Sequence, residues 1–524
     1  MAVAGPSASF RSASFRSPQP LVSLTKAFPT PFKNVIATAK TCYSARGLIR
    51  DEDVGEGFEP LARSIYEAGH HTTYQHAHFQ FALANVSRHF IWSFLHAHPF
   101  YNSEQVSQRY VPVKPGTYFI PALAGEALAV YEAAVARQFA AYAALTEMLR
   151  PVVTAEYLKL FSKHDPASPK VASKITKRSM EAARYVLPVA TFAYLYHTVS
   201  GVTLLRYWRL CNQLDAPEET RAVVGAMAEA LLAHDPLYQT VLEAPLPPEA
   251  AGEFAFAGWG ADDGRRRAFR EAFDASLDGR ASRLVDWKAR NEELLADAVR
   301  EVLGLPPSAL TDDDAIALAL DPTRNRLLGE SLNLTTHAKL TRALAHPGYT
   351  FRKKLSHAAD SQDQRHRMTP ASRPLLAGHL DAEPDYETPM LVQLDDQAAR
   401  FYRETMARTW EALGRLRALG VAAADAAYLL PNAVSIRFTE SADLLNLHHK
   451  HRMRLCYLAQ EEIWRASVEE ARQIQDINPR IGRWLLPPCG QRAAAGARPI
   501  CPEGERFCGV RVWKLGLADY QRAF

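Results

Sequence analysis

Ser107-Gln108-Arg109-Tyr110 is the sharpest chemical signal in the chain. In an extended segment, residues two apart point the same way. Ser107 and Arg109 would then offer a hydroxyl and a planar guanidinium to one ligand, a pairing suited to phosphate. A surface Arg beside a loop Ser gives the same spacing with no ligand. A second Arg, Arg454, stands ahead of Ala459-Gln460-Glu461-Glu462. Few breakers interrupt residues 444–466, so the spacing predicts one helix with Arg454 and Glu461 on a shared face. A solvated, charge-paired face fits that spacing equally. Histidines gather at His70, His71, His76 and His78, at His89, His96 and His98, and at His448, His449 and His451. No His-Glu-x-x-His element accompanies them, so no metal ligand is assigned and they read as satisfied or ligand-contacting imidazoles. Cys489, Cys501 and Cys508 lie in a Pro/Gly-rich tail. They could hold zinc with a fourth ligand, but their spacing matches no CxxC pair, and reduced loop cysteines are the competing reading. GxGxxG, GxxxxGK[ST] and GxSxG elements are absent, which removes support for classical dinucleotide folds, P-loop NTPases and α/β hydrolases.

The elements that must position these groups are mainly helical. Apolar spacing predicts helices over 56–68, 86–96, 172–187 (ending at Pro188) and 200–234 (broken near Pro217), with a short strand over 78–83. Residues 126–162 read as a helix pair broken near Pro151. Residues 244–262 have linker composition, and helical patterns resume over 266–303. Across this divide five segments recur in order. Thr72–Ala77 resembles Thr335–Ala338, and Phe94–Ala97 resembles Lys354–Ala358. Ser103–Gln105 through Arg109–Pro112 lines up with Ser361–Asp363 through Arg367–Pro370. Tyr185–Pro188 matches Tyr428–Pro431, and Arg209–Cys211 with Ala216–Glu219 matches Arg452–Arg454 with Ala459–Glu462. The period is far longer than that of a solenoid, so two homologous halves are expected.

Of 524 residues, 48% are hydrophobic and 23% charged, which excludes disorder as the dominant state. No uninterrupted apolar run of spanning length occurs. A formal charge of +4 is too weak a field on this length to argue for nucleic acid. Six cysteines are too few for a disulfide framework, so reduced thiols and a cytoplasmic setting are expected. The first acidic residue is Asp51, and the Ser/Ala/Pro-rich start lacks the apolar core of a secretory signal. The expected organisation is a disordered tail (1–27), a first half (28–243), a linker (244–265), a second, divergent half (266–480) and a Cys-containing tail (481–524).

Taken together, these segments resemble the flavin-dependent thymidylate synthase family. Its Gly-His-x-Ser/Thr-x-x-Glu-His element is seen as Gly69-His70-His71-Thr72-Thr73-Tyr74-Gln75-His76. Its Arg-His-Arg motif falls near His96-Ala97-His98-Pro99, leading into Ser107-Gln108-Arg109-Tyr110. Its Ala-Arg-x-x-Leu-Pro element is Ala183–Pro188, and its helix Arg followed by Ala-Gln-x-Glu-Ile is Arg454 with Ala459–Ile463. The resemblance implies an α+β fold, two copies of a thymidylate-synthase-complementing-type module with helices around a mainly antiparallel sheet. It implies reductive methylation of dUMP to dTMP with FAD, NADPH and methylenetetrahydrofolate. Ser107, Arg109, Arg184 and Gln105 would bind the nucleotide, and Arg454 would bind and polarise its ring. His70, Thr72, Gln75, His96, His98 and Gln460 would hold the FAD. The family uses no protein nucleophile, in keeping with the missing nucleophile motifs, because the cofactor carries the hard chemistry.

This chain departs from the pattern in a complementary way. The first half has Cys211 and Pro217 where the family has its helix Arg and Gln. The second has Ala427 opposite Arg184 and, in the alignment above, Arg365 opposite Ser107. The family is a homotetramer with sites between subunits. The resemblance therefore implies a hybrid site between the two halves and a homodimer that forms a pseudo-tetramer. The alternatives are a fold-retaining nucleotide-binding protein without flavin chemistry, or a flavoenzyme methylating another pyrimidine nucleotide.

Overall fold

The computed structural model describes residues 14–95, 98–213, 215–256, 258 and 263–522. In the first half, alternation along His78–Ser87 (β2) buries Phe79, Phe81 and Leu83 on one face. Around it lie β1 (Leu21–Ala27), β3 (Tyr101–Gln105) and β4 (Phe192–Ser200), in the antiparallel order β1-β2-β4-β3. The helices are α1 (Pro31–Thr41), α2 (Glu59–Glu67), α3 (Arg88–Leu95), α4 (Gly125–Leu160), α5 (Pro169–Ala183), α6 (Gly201–Leu210) and α7 (Pro217–His234). The second half repeats the plan as β5 (Ser282–Trp287), β6 (Gly348–Ser356), β7 (Ala371–Ser372) and β8 (Ser435–Asp443), in the order β5-β6-β8-β7. Its helices are α8 (Asp263–Leu277), α9 (Asn291–Leu303), α10 (Asp312–Leu320), α11 (His357–Asp363), α12 (Met390–Gln393), α13 (Asp396–Ala418), α14 (Ala423–Ala426), α15 (Leu444–Arg454), α16 (Glu461–Ile477), α17 (Pro479–Gly482) and α18 (Pro488–Ala494). The fold class is therefore the expected one, helices around two antiparallel four-stranded sheets.

The halves meet about a pseudo-two-fold axis at the two Leu-Pro segments. Pro188 and Pro431 form an antiparallel bridge. Val189 N donates to Leu430 O (2.8 Å) and Asn432 N to Leu187 O (2.8 Å), and Ala190 N and Ala433 N reach Tyr428 O and Tyr185 O. Side chains repeat the exchange. Tyr185 Oη donates to Glu462 (2.6 Å), which also accepts from Ser356 N and Oγ. Tyr428 Oη donates to Glu219 (2.9 Å), which accepts from Ser87 N and Oγ. Buried carboxylates at the starts of α7 and α16 are thus each satisfied by a strand end of their own half and a tyrosine of the other. Helices α4 and α13 pack together, and one apolar core runs through both halves.

Several expectations change. Residues 21–27, assigned to a tail, are the edge strand β1. Residues 266–303 contain β5 between two helices. Residues 126–162 form one helix, α4, with Pro151 inside it. Pro151 is exposed, so the carbonyl it leaves unbonded faces water rather than the core. Residues 444–466 are two helices, α15 and α16, so Arg454 and Glu461 do not share a continuous helix face.

The repeat register also shifts. In the first sheet His197 pairs with Phe81 and Ser103, and in the second Glu440 pairs with Phe351 and Ala371. Ser103 is therefore equivalent to Ala371, not Ser361, which lies on α11. Counted along the chain, Ser107 corresponds to Leu375 rather than Arg365, and Arg109 to Ala377. Likewise β2 and β6 begin opposite Ser200 and Asp443, so His76 corresponds to His346 and the Thr335–Ala338 match is out of register.

Candidate functional site

Loop 455–460, between α15 and α16, is the centre of the site. Asp443 caps α15 by accepting from Asn446 N (2.9 Å), and Arg454 closes the helix at the end where a cation is favoured. Gln460 caps α16 through its Oε1, accepting from Ile463 N (3.0 Å), and its amide donates to Tyr185 Oη of the first half. The first half reaches this loop through Arg109, whose Nη2 donates to Leu458 O (2.9 Å) and whose Nε pairs with Glu181 (2.5 Å). Glu181 also holds Arg178 (2.9 Å). From the C-terminal tail, Arg522 Nη1 donates to Ala459 O (2.6 Å). Residues 107–111 are a turn rather than the extended segment expected: Tyr110 N and Val111 N return to Ser107 O, and Ser107 Oγ accepts from Arg109 N (3.2 Å).

Cations outnumber anions here. Burial alone would lower the Arg109 pKa, but Glu181 outweighs it and the net shift is upward. Burial raises Glu181, yet Arg109, Arg178 and Arg184 bring it down to about 2. Burial first, with Arg109 and Arg365 adding repulsion that Asp363 only partly offsets, lowers Arg454 to about 10. Burial and then Arg178 lower Arg522 to about 9, and burial and Arg184 lower Arg88 to about 10. Arg184 is 4% exposed, and its Nε and Nη2 find no acceptor among the described residues. The same holds for Arg88 Nε, Gln108 Nε2 and Gln362 Nε2. Buried donors with no acceptor are costly, and an anionic, acceptor-rich ligand is what would satisfy them.

Of the residues singled out from sequence, Ser107, Arg109, Arg184, Arg454 and Gln460 are brought into this region. Gln105 flanks it, accepting from Arg88 Nη1 (2.8 Å). His70, Thr72 and Gln75 are not brought there. They are exposed around a turn anchored by the buried Tyr74. His96 lies outside the described residues. His98 is spent within its own half: Nε2 bonds Tyr207 Oη (2.7 Å), Nδ1 accepts from Phe100 N (2.9 Å), and burial lowers its pKa to about 4.

Sequence reasoning missed Gln362, Arg365, His366, Arg367 and Arg522. The intact Arg-His-Arg string is Arg365-His366-Arg367, in the second half, where strand pairing makes His366 the equivalent of His98. Arg454 donates to His366 Nε2 (2.8 Å) and Gln362 O (2.7 Å). Burial, reinforced by Arg454, keeps the His366 pKa well below its usual value, so the ring is neutral and can accept. Arg365 pairs with Glu104 (2.6 Å), and Arg367 donates to Pro99 O (3.1 Å). Both line a cleft of about 310 Å³ with Tyr101, Asn102 and Tyr196. Beneath it, Lys353 and Lys450 share Asp363 (2.7 and 2.9 Å), and Lys353 also meets Glu470 (2.9 Å), fixing the end of α11 that carries Gln362. Cys456, two residues beyond Arg454, has its thiol pushed up to about 11, mainly by burial, and is a poor nucleophile at neutral pH.

The thymidylate synthase complementing protein family model matches residues 22–237 and 283–480, one segment per half. A flavin-dependent thymidylate synthase from Geobacter sulfurreducens is 30% identical over 170 residues, 32% of this chain and 70% of that protein. One from Nitratidesulfovibrio vulgaris is 28% identical over 218 residues, 40% of this chain and 81% of that protein. Among solved structures, the UMP/dUMP methylase PolB from Streptomyces cacaoi bound with 5-Br UMP is 18% identical, covering 45% of this chain and 99% of that one at a TM-score of 0.28. No helix among the described residues is long and apolar enough to cross a membrane.

Proposed function

Because the chain belongs to the thymidylate synthase complementing protein family, matched once in each half, we propose that it is a flavin-dependent thymidylate synthase, a methyltransferase-class enzyme whose single kind of active site is shared between its halves. The substrate is dUMP, methylated to dTMP with methylenetetrahydrofolate as carbon donor and NADPH as reductant. The observation that carries this reading is the meeting of Arg109 and Arg184 from one half with Arg454 from the other, in a buried region with too few anions. The reciprocal region has Cys211 in place of Arg454, and Leu375, Ala377 and Ala427 in place of Ser107, Arg109 and Arg184. Among the described residues, that region keeps none of these four side chains.

In this reading Arg109 and Arg184 hold the phosphate, with Ser107 ordering the turn that presents Arg109. Arg454 lies against the pyrimidine. With a pKa of about 10 it stays protonated at neutral pH, and His366 and Gln362 O fix its orientation. A fixed, desolvated cation stabilises negative charge developing on a ring carbonyl. Gln460 and Tyr185 lock the loop that carries Arg454 to the opposite half.

The residues present fit a flavin nucleotide. Arg365 and Arg367 are guanidiniums at a cleft walled by the rings of Tyr101 and Tyr196. At about 310 Å³ the cleft is at the small end of the ~300–1,000 Å³ typical of ligand sites. A second copy would supply the remaining wall, including His70, Thr72 and Gln75, which accounts for their exposure within one chain. Bound FAD supplies the hydride chemistry that no side chain here can. A yellow protein that releases tritium from 5-labelled dUMP supports this function. A colourless protein that binds dUMP but takes up no added FAD would replace it with the binding-only alternative.

A further inference from the structure

Four of the six cysteines converge on one place. Cys456, Cys489, Cys501 and Cys508 line a single small cavity together with Pro488 and Glu503. Cys456 comes from the loop beside Arg454, and the other three from the tail beyond residue 480, where the family match ends. All four are free thiols, and none is fully exposed. Each lies in the electrostatic field of the others: Cys501 and Cys508 act on Cys456, and Cys456, Cys501 and Cys508 act on Cys489. The remaining two, Cys42 and Cys211, are elsewhere, one exposed and one buried.

We propose that these four cysteines form a tetrahedral zinc site that clamps the C-terminal tail onto the active-site loop. Four sulfur ligands and no nitrogen or open position define a structural rather than a catalytic zinc centre. Among the described residues no three His, Cys, Asp or Glu side chains already stand at metal-ligand spacing. The proposal therefore requires that the four thiols draw together as the ion binds, a coupling of local folding to metal binding. Each Zn–S bond of about 2.3 Å replaces an S–H bond whose proton leaves to solvent. The product carries two net negative charges, and Arg522, which already acts on Cys508, is a cation placed to offset them.

The position explains why a tail outside the family match exists. Every residue from Cys456 to Ala459 is gripped from outside its own helix pair. Cys456 belongs to the cluster, Tyr457 Oη accepts from Gln521 N (3.1 Å), Leu458 O accepts from Arg109, and Ala459 O accepts from Arg522. Zinc would fix the tail that supplies Gln521 and Arg522, and so fix the loop between Arg454 and Gln460.

The test is elemental analysis of the full-length chain, purified without added metal, with thiol titration of the same sample. The expected result is about one zinc per chain. Only Cys42 reacts rapidly until a chelating dye withdraws the metal, whereupon the four cluster thiols appear together. Cobalt substitution gives the intense thiolate-to-metal charge-transfer bands of a sulfur-rich tetrahedral site. Cys501→Ser with Cys508→Ser abolishes the metal, while Cys42→Ser keeps it. A metal-free protein that takes up neither added zinc nor cobalt overturns the proposal, even if every variant misfolds. So does a disulfide between any two of the four. The readout involves no nucleotide or flavin, so it stands or falls separately from the enzymatic reading.

Discussion

Arg184 and Lys450 are both buried cations, and they should respond to mutation in opposite ways. Lys450 neutralises Asp363 (2.9 Å) inside a fully buried network. Lys450→Met takes from Glu440 its nearest cation and leaves Lys353 alone to face Asp363, Glu440 and Glu470, and should cost about 3–5 kcal/mol in chemical denaturation. Arg184 has no acceptor for two of its donors among the described residues. Arg184→Met should leave stability unchanged or raised, yet weaken dUMP binding about ten- to hundredfold, the ~1.5–3 kcal/mol of a charged hydrogen bond. A loss of both stability and affinity at Arg184 would show that it is structural. Arg109, Arg184 and Arg454 were legible in sequence because each sits in a short string of fixed spacing. Arg365-His366-Arg367 was equally legible as a string but was displaced by the wrong repeat register. Arg522 carried no signal, since a lone Arg near a chain end gains meaning only from what folds over it.

At the scale of elements, two buried carboxylates hold the halves together and make stability depend on pH. Burial, only partly offset by hydrogen bonds from serine and tyrosine, raises Glu219 and Glu462 from 4.5 to about 7. The folded state therefore binds more protons than the unfolded state between those values. Their contribution is present in full below pH 4.5, and stability should fall as pH rises through 7. Glu219→Gln should flatten part of that slope in denaturation midpoints compared at pH 5 and pH 8. Tyr185→Phe and Tyr428→Phe each leave a carboxylate short of a donor, and each should cost about 1–3 kcal/mol. The Leu-Pro strings that carry these tyrosines could be matched by eye because they keep their sequence in both halves. β5 could not be read, because in Ser-Arg-Leu-Val-Asp-Trp two apolar residues are adjacent and a serine takes an inward position, so no alternation shows. The loop that splits α15 from α16 contains no glycine or proline, and what ends α15 is tertiary: Arg109 and Arg522 take carbonyls of loop 455–460.

For the whole molecule, the proposed shared site would account for the length of the chain, as two modules acting together. Each half lacks what the other keeps, so neither is expected to bind nucleotide alone. In the proposed dimer the exposed rings of Tyr194 (58%) and Tyr196 (56%) on the first sheet would meet the second copy, and light scattering should give a dimer mass. Because Arg109 meets the second half of its own chain, mixing Arg109→Ala and Arg454→Ala proteins should restore no activity.

Equilibrium titration of dUMP into wild-type, Arg109→Ala and Arg454→Ala protein tests the shared site most directly. The expected result is one nucleotide per chain, with affinity reduced about ten- to hundredfold by either change alone. Two nucleotides per chain, or unaltered affinity in either variant, would contradict a single site built from both halves.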